Sequence, residues 1–200
     1  WTRDFSSVVY DGTHSDKRSD LITYQSYNEF SRGINSIPSS DANYTDNYKH
    51  IRRTNLLLQN AEAYAKPEDI KQYIGEAYFF RAYSYFDLLQ LYGDVIITKK
   101  PLDITDPEMK VKRNDRSEVV DLIIDDLNHA VENLPAFKEL TTEEEGRISK
   151  EGAQAFLSRV ALYEGTWQKS RNGNQNTQRS ANLLDIAAKA ARTVIDAKYG

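Results

Sequence analysis

The run Ile70 to Ile97, IKQYIGEAYFFRAYSYFDLLQLYGDVII, sustains one helical period for longer than any other part of the chain, and it limits what the chain can become. Ile70, Tyr73, Ile74, Ala77, Arg81, Ser84, Tyr85, Leu88 and Tyr92 follow at steps of three and four, the spacing a 3.6-residue turn gathers on one face. Tyr78, Phe79, Phe80, Tyr83, Phe86, Leu89 and Leu91 fall outside that stripe, so the predicted helix is apolar around most of its circumference. Such a helix must be covered on several sides, which makes it the centre of a helical packing. Gly93 marks its end, where a left-handed residue costs least, and Val95 to Ile97 read as a short extended exit.

Arg81 lies on the inner stripe, so a carboxylate or several carbonyls must meet it, and the simplest role is a structural ion pair. A second predicted helix, Tyr44 to Ala65, places Tyr48, Ile51, Asn55, Leu58, Ala61 and Ala65 on one face. Its inner Asn55 needs partners for its amide and is expected to tie a neighbouring loop or turn. Pro67, Glu68 and Asp69 announce the start of the long helix only a few residues later, so the two should form an antiparallel hairpin.

Downstream, Pro101 and Pro107 rule out a regular helix through Lys99 to Arg116. Ser117 is expected to cap a helix over Glu118 to Asn133, with Val120, Ile123, Ile124, Leu127, Ala130 and Val131 inside and Asp121, Asp125 and Asp126 on a solvated face. Ser149 should cap another over Lys150 to Gly165, with Ala153, Phe156, Leu157, Val160 and Ala161 inside; Gln168 to Ser180 reads as a solvated loop. A last helix, Leu183 to Lys198, carries Leu184, Ala187, Ala188, Ala191, Val194 and Ile195 on one side. Upstream, residues 1–42 read as loop with one short helix between Leu21 and Ile34. The fold class is therefore all-α: antiparallel helix pairs of tetratricopeptide type with long loop insertions, in one domain over residues 1–200.

A net charge of −4 gives no basic footprint for nucleic acid. With no cysteine, thiolate metal sites are excluded. His14, His50 and His129 stand apart without metal-ligand spacing, there is no G-x-S-x-G or phosphate-binding glycine loop, and nothing selects a facing pair of carboxylates from the acidic residues. No catalytic role, cofactor or metal is predicted. The aromatic set is rich in tyrosine, and sugar binding without catalysis uses flat aromatic faces with Asn, Asp, Arg or Gln for the hydroxyls.

Specific residues also carry a family resemblance. In GEAYFFRAYSYFDLLQLYGDV, the residues Glu76, Ala77, Phe80, Arg81, Ala82, Tyr85, Leu88, Tyr92 and Gly93 resemble a segment of the SusD/RagB family of surface glycan-binding lipoproteins. Ser15-Asp16, Asn47-Tyr48 to Asn55, Arg116-Ser117 to Leu134-Pro135, Gly146 to Lys150, Ala153 to Tyr163 and Asn182 to Tyr199 are similar to further family segments in the same order. Ile96 departs from the usual proline of that local turn.

The resemblance implies a tetratricopeptide-like scaffold at the outer membrane, held by a lipid anchor expected upstream of Trp1. It further implies capture of oligosaccharides for a SusC-like TonB-dependent transporter, without catalysis, and a chain that continues beyond Tyr199. The candidate glycan contacts are Tyr24, Tyr27 and Asn28, beside Trp1 and Tyr10, and Trp167, Arg171 and Asn172, with Gln168, just past a helix end; Asn55, Arg81, Tyr85 and Tyr92 are assigned to the structural core. The competing reading is a helical scaffold that binds a peptide or protein, for which Asn, Lys or Arg should line a groove.

Overall fold

The structure, a computed structural model, describes residues 33–34, 36–103, 105–171 and 177–197. The chain divides into two compact units, Trp1–Asp41 and Ala42–Gly200. Of the first, residues 33, 34 and 36–41 are described, and they carry no helix or strand. The expected helix between Leu21 and Ile34 lies almost wholly outside the described residues.

The described residues of the second unit form five α-helices: α1 (Ala42–Glu62), α2 (Lys71–Tyr92), α3 (Arg116–Asn133), α4 (Lys150–Arg171) and α5 (Thr177–Asp196). Its only extended pairing among the described residues is an isolated antiparallel bridge between Val95 and Asn114. Each helix runs antiparallel to the one before it, as the cross-contacts require. Tyr44 meets Tyr92 while Asn55 meets Arg81; Gly75 faces Leu134 while Arg116 reaches Leu89; Arg116 meets Glu164 while Lys150 bonds Pro135; Gly165 meets Ser180 while Ser158 meets Ala187.

α2 is the central element, as its all-round apolarity demands. Gly75, Ala77, Phe79, Arg81, Ala82, Ser84, Tyr85, Phe86, Leu88 and Leu89 are buried, more than one helical face can account for. α1 covers one side through Ile51 and α3 another through Val119, Val120, Ile123 and Leu127. α4 covers a third by setting Phe156 within 5.4–5.5 Å of Phe79, Tyr83 and Phe86. At Gly93 the backbone turns to φ +71°, and the Gly93 amide bonds Leu89 O, closing the helix where the sequence places its stop.

Several boundaries and faces differ from the sequence reading. α1 stops at Glu62, and Pro67–Ile70 form a 3-10 turn before α2. Asp115, not Ser117, caps α3: its carboxylate accepts from Ser117 N while Glu118 bonds back to the Asp115 amide. A carboxylate suits that position, because it meets the positive end of the helix dipole as well as an orphan N–H. Asp126 is fully buried, against the expected solvated face. Both described ends of the expected loop Gln168 to Ser180 are helical: α4 continues to Arg171 and α5 begins at Thr177, with Gln168 and Ser180 buried. α5 buries Ser180, Leu183, Ala187 and Ala190, leaving Ala188 and Ile195 exposed, so its inner face is rotated from the expected one. α4 decides that rotation, because Gly165 admits Leu183 and Leu184 to within 3.0–3.3 Å of where a Cβ would stand.

Candidate functional site

Two buried carboxylates organise the polar interior. The first is Asp126 on α3, which accepts from Arg81 Nε at 2.8 Å and from a terminal Arg81 nitrogen at 2.7 Å. Both side chains are almost fully enclosed, at 7% and 1% exposure. Burial raises the Asp126 carboxyl above its ordinary value and the Arg81 donors oppose that shift, while the same carboxylate raises Arg81 against its own desolvation and keeps it charged. The other terminal nitrogen of Arg81 donates to Asn55 Oδ1 at 2.8 Å. Asn55 Nδ2 then donates to Thr98 O at 2.9 Å and Lys100 O at 3.3 Å.

This network pins the stretch 95–102 against α1 and α2. Tyr48, Arg52 and Asn55 succeed one another along α1 and donate to Ile96 O, Leu102 O and Thr98 O. Tyr85 accepts from the Thr98 amide at 2.8 Å, and Asn114 Oδ1 accepts from Ile97 N. Every group in the node is bonded within the fold: Asn55 ties the Thr98 and Lys100 carbonyls, and Arg81 is held in an ion pair with Asp126. Tyr85 is fully buried and Tyr92 packs its edge against Tyr44, which fits both to the core.

The second buried carboxylate, Glu164 on α4, was not singled out from sequence. It accepts from Arg116 Nε at 2.9 Å and from Gln168 at 2.6 Å. Its signal was present: Leu157, Val160, Ala161, Glu164, Gly165 and Gln168 continue one inner stripe along α4. Arg116 also lies over two rings, 5.8 Å from the centre of Tyr163 and 4.4 Å from that of Trp167. Arg171, one turn beyond Trp167, lies 4.9 Å from the same indole. Trp167 is thus half-buried on the last turns of α4, within cation–π distance of two guanidiniums, and not past a helix end as expected. Arg116 is neutralised by Glu164, whereas Arg171 is exposed.

Among the sequence-predicted contacts, Trp167 and Arg171 therefore come together. Asn172, Tyr24, Tyr27 and Asn28, with Trp1 and Tyr10, lie outside the described residues. Two surface grooves were not predicted. One, with a volume of about 690 Å³, runs between α3 and α5; Asp121, Asp125, Asn128, Gln178, Arg179 and Asn182 rim it over a floor of Ile124, Leu183 and Ile186. Arg179 crosses its end to hold Asp121 at 2.8 Å and Ser117 O at 2.9 Å. The other groove, along the outer side of α1, is apolar and contains the exposed Leu56, Leu57, Tyr64 and Tyr73. Among the described residues, no group of three or more His, Asp or Glu side chains could hold a metal ion, and no helix is long and apolar enough to cross a membrane.

A family model described as "Starch-binding associating with outer membrane", SusD-like, matches residues 7–162. A SusD-like protein of Formosa agariphila is 33% identical over 133 residues, a match covering 64% of this chain and 25% of that protein. A SusD-like protein of Bacteroides fragilis has a solved structure that superposes with a TM-score of 0.72 at 27% identity, covering 88% of this chain and 31% of that one. A laminarin-binding SusD-like protein superposes with a TM-score of 0.62 at 28% identity, covering 79% and 32%. The matched part of this chain spans about a quarter of the curated relatives' length.

Proposed function

Because the chain belongs to the SusD-like family, we propose that it supplies the helical scaffold of a non-catalytic glycan-binding protein at the bacterial cell surface. The observation that carries this reading is the agreement between the family match over residues 7–162 and a helix-pair fold shared with SusD-like structures. In this reading residues 1–200 belong to one functional unit, the helix pairs being preceded by the loop-rich stretch 1–42. A lipid anchor holds the protein on the outer membrane, and captured oligosaccharides pass to a SusC-like TonB-dependent transporter. In this reading Tyr24, Tyr27 and Asn28, together with Trp167, Arg171 and Asn172, are the residues offered as glycan contacts.

The interior supports a scaffold role over a catalytic one. Asp126 and Glu164, both buried carboxylates, are each engaged by an arginine inside the fold and face no open cavity among the described residues. A second reading, a peptide-binding scaffold, draws on the groove between α3 and α5, whose rim of Asn128, Asn182 and Arg179 has the side chains such a scaffold uses. The family favours the glycan.

Calorimetry of the full-length protein against plant, host and microbial oligosaccharides separates the two. Binding of one glycan class, without release of shorter products on prolonged incubation, is expected. Silence across all three glycan sets, together with binding of a peptide that Asn182→Ala weakens, would replace the glycan reading with the scaffold one.

A further inference from the structure

Trp167 was expected to offer a flat face to a sugar ring, yet the indole already has Arg116 at 4.4 Å and Arg171 at 4.9 Å from its centre. A neutral sugar that stacked there would compete with a guanidinium for the ring. The two cations differ in what they have left to give. Arg116 spends its donors on Glu164 and Leu89 O and is only 14% exposed. Arg171 is exposed, and its recorded partner among the described residues is the indole alone.

A guanidinium held over an aromatic face meets it without spending its N–H donors on hydrogen bonds, which leaves an N–H edge for a ligand. That edge is a planar fork matching two oxygens of one anionic group, and stacking reduces the rotamer freedom lost when it binds. Charge points the same way. Between Glu164 and Asp185 the sequence holds Lys169, Arg171 and Arg179 and no carboxylate, within a chain of net charge −4. Arg179 is committed to Asp121 and Ser117 O.

We propose that Arg171, stacked on Trp167, is a subsite for an acidic saccharide, a sugar ring bearing a carboxylate or a sulfate ester, and that this subsite steers the protein towards acidic over neutral glycans. The proposal rests on the glycan-binding reading and sharpens it, by making the indole a platform for the arginine and the arginine the group that meets the ligand. The competing structural role for Arg171 is to offset the negative end of the α4 dipole, which a lysine would serve equally well.

The test is calorimetry on the full-length protein with oligogalacturonate, its fully methyl-esterified counterpart and a sulfated carrageenan oligosaccharide. At least one of the two acidic probes should bind about tenfold or more tightly than the ester, the scale of one bidentate charge-assisted contact, and should weaken as salt is raised. Which acidic probe binds identifies the anionic group. Arg171→Gln should remove that preference, and Arg171→Lys should restore only part of it, because the fork is lost while the charge remains. Both variants should leave the melting temperature unchanged. Equal affinity for acidic and esterified probes, or Arg171→Gln within twofold of the parent on the preferred acid, overturns the subsite while leaving glycan binding intact. Binding of no saccharide at all removes the subsite together with the function it refines.

Discussion

Replacing Arg81 by methionine keeps most of the aliphatic stem and removes the charge, leaving Asp126 in an enclosed site without the ion pair that chiefly opposes its desolvation. Asp126 is 1% exposed and receives two charged hydrogen bonds of 2.7 and 2.8 Å from Arg81, so removing the partner strands the carboxylate. Loss of one member of a buried pair costs about 3–5 kcal/mol. Arg81→Met also leaves Asn55 Oδ1 without its donor, a further loss of about 1 kcal/mol or more. With a urea slope of about 2–3 kcal/mol/M, the midpoint should fall by about 1.5–2.5 M. Asp126→Leu should cost a similar amount by stranding the Arg81 cation. The double variant should be less damaging than either single change, since replacing a whole buried pair with apolar groups removes both desolvation penalties. Urea unfolding of the four full-length proteins, with slopes compared, closes the cycle. If the two single costs add in the double variant, or Arg81→Met loses less than about 1 kcal/mol, the pair is not the energetic centre of this interior and the reasoning fails.

Two further changes probe the packing. Gly75→Ala should destabilise by about 1–3 kcal/mol despite the helix propensity gained, because the new Cβ would stand 3.0 Å from Leu134 N and 3.1 Å from the Asn133 carbonyl carbon. At Gly165→Ala the three nearest atoms to the new Cβ are side-chain atoms of Leu184 and Leu183 at 3.0–3.3 Å, so it should cost less; a reversed order in thermal melts would show that backbone proximity is not what limits α2 against α3. Glu164→Gln should cost about 2–3 kcal/mol, short of the Arg81 effect because Arg116 retains 14% exposure through which solvent can relieve its charge. An unfolding midpoint equal to the parent's would mean that Arg116 is held by its stacking on Tyr163 and Trp167 instead.

Much of this architecture was readable from residue order, and the two missed buried carboxylates share one cause. Periodicity located α2 because aromatic and aliphatic residues surround it, and Gly93 gave its end because few other residues tolerate that backbone. Asp126 and Glu164 were overlooked because a carboxylate is assigned to water by default, although each sits on an apolar stripe: Asp126 among Leu122, Ile123 and Ala130, Glu164 among Val160, Ala161 and Gln168. An acid on a buried stripe becomes tolerable only when a cation arrives from another helix. Arg81 comes from 45 positions away and Arg116 from 48, so no local window contains both halves of the pair.

The order of residues alone determined that this chain is helical, where its central helix runs, that Arg81 needs an opposite charge and which family it resembles, since these follow from spacing and side-chain type within short windows. Only the tertiary structure decided which acid answers Arg81, which face α5 turns inward, and that Trp167 lies beneath cations. Those outcomes depend on the distance between groups far apart in sequence, and burial and electrostatics are set by that distance.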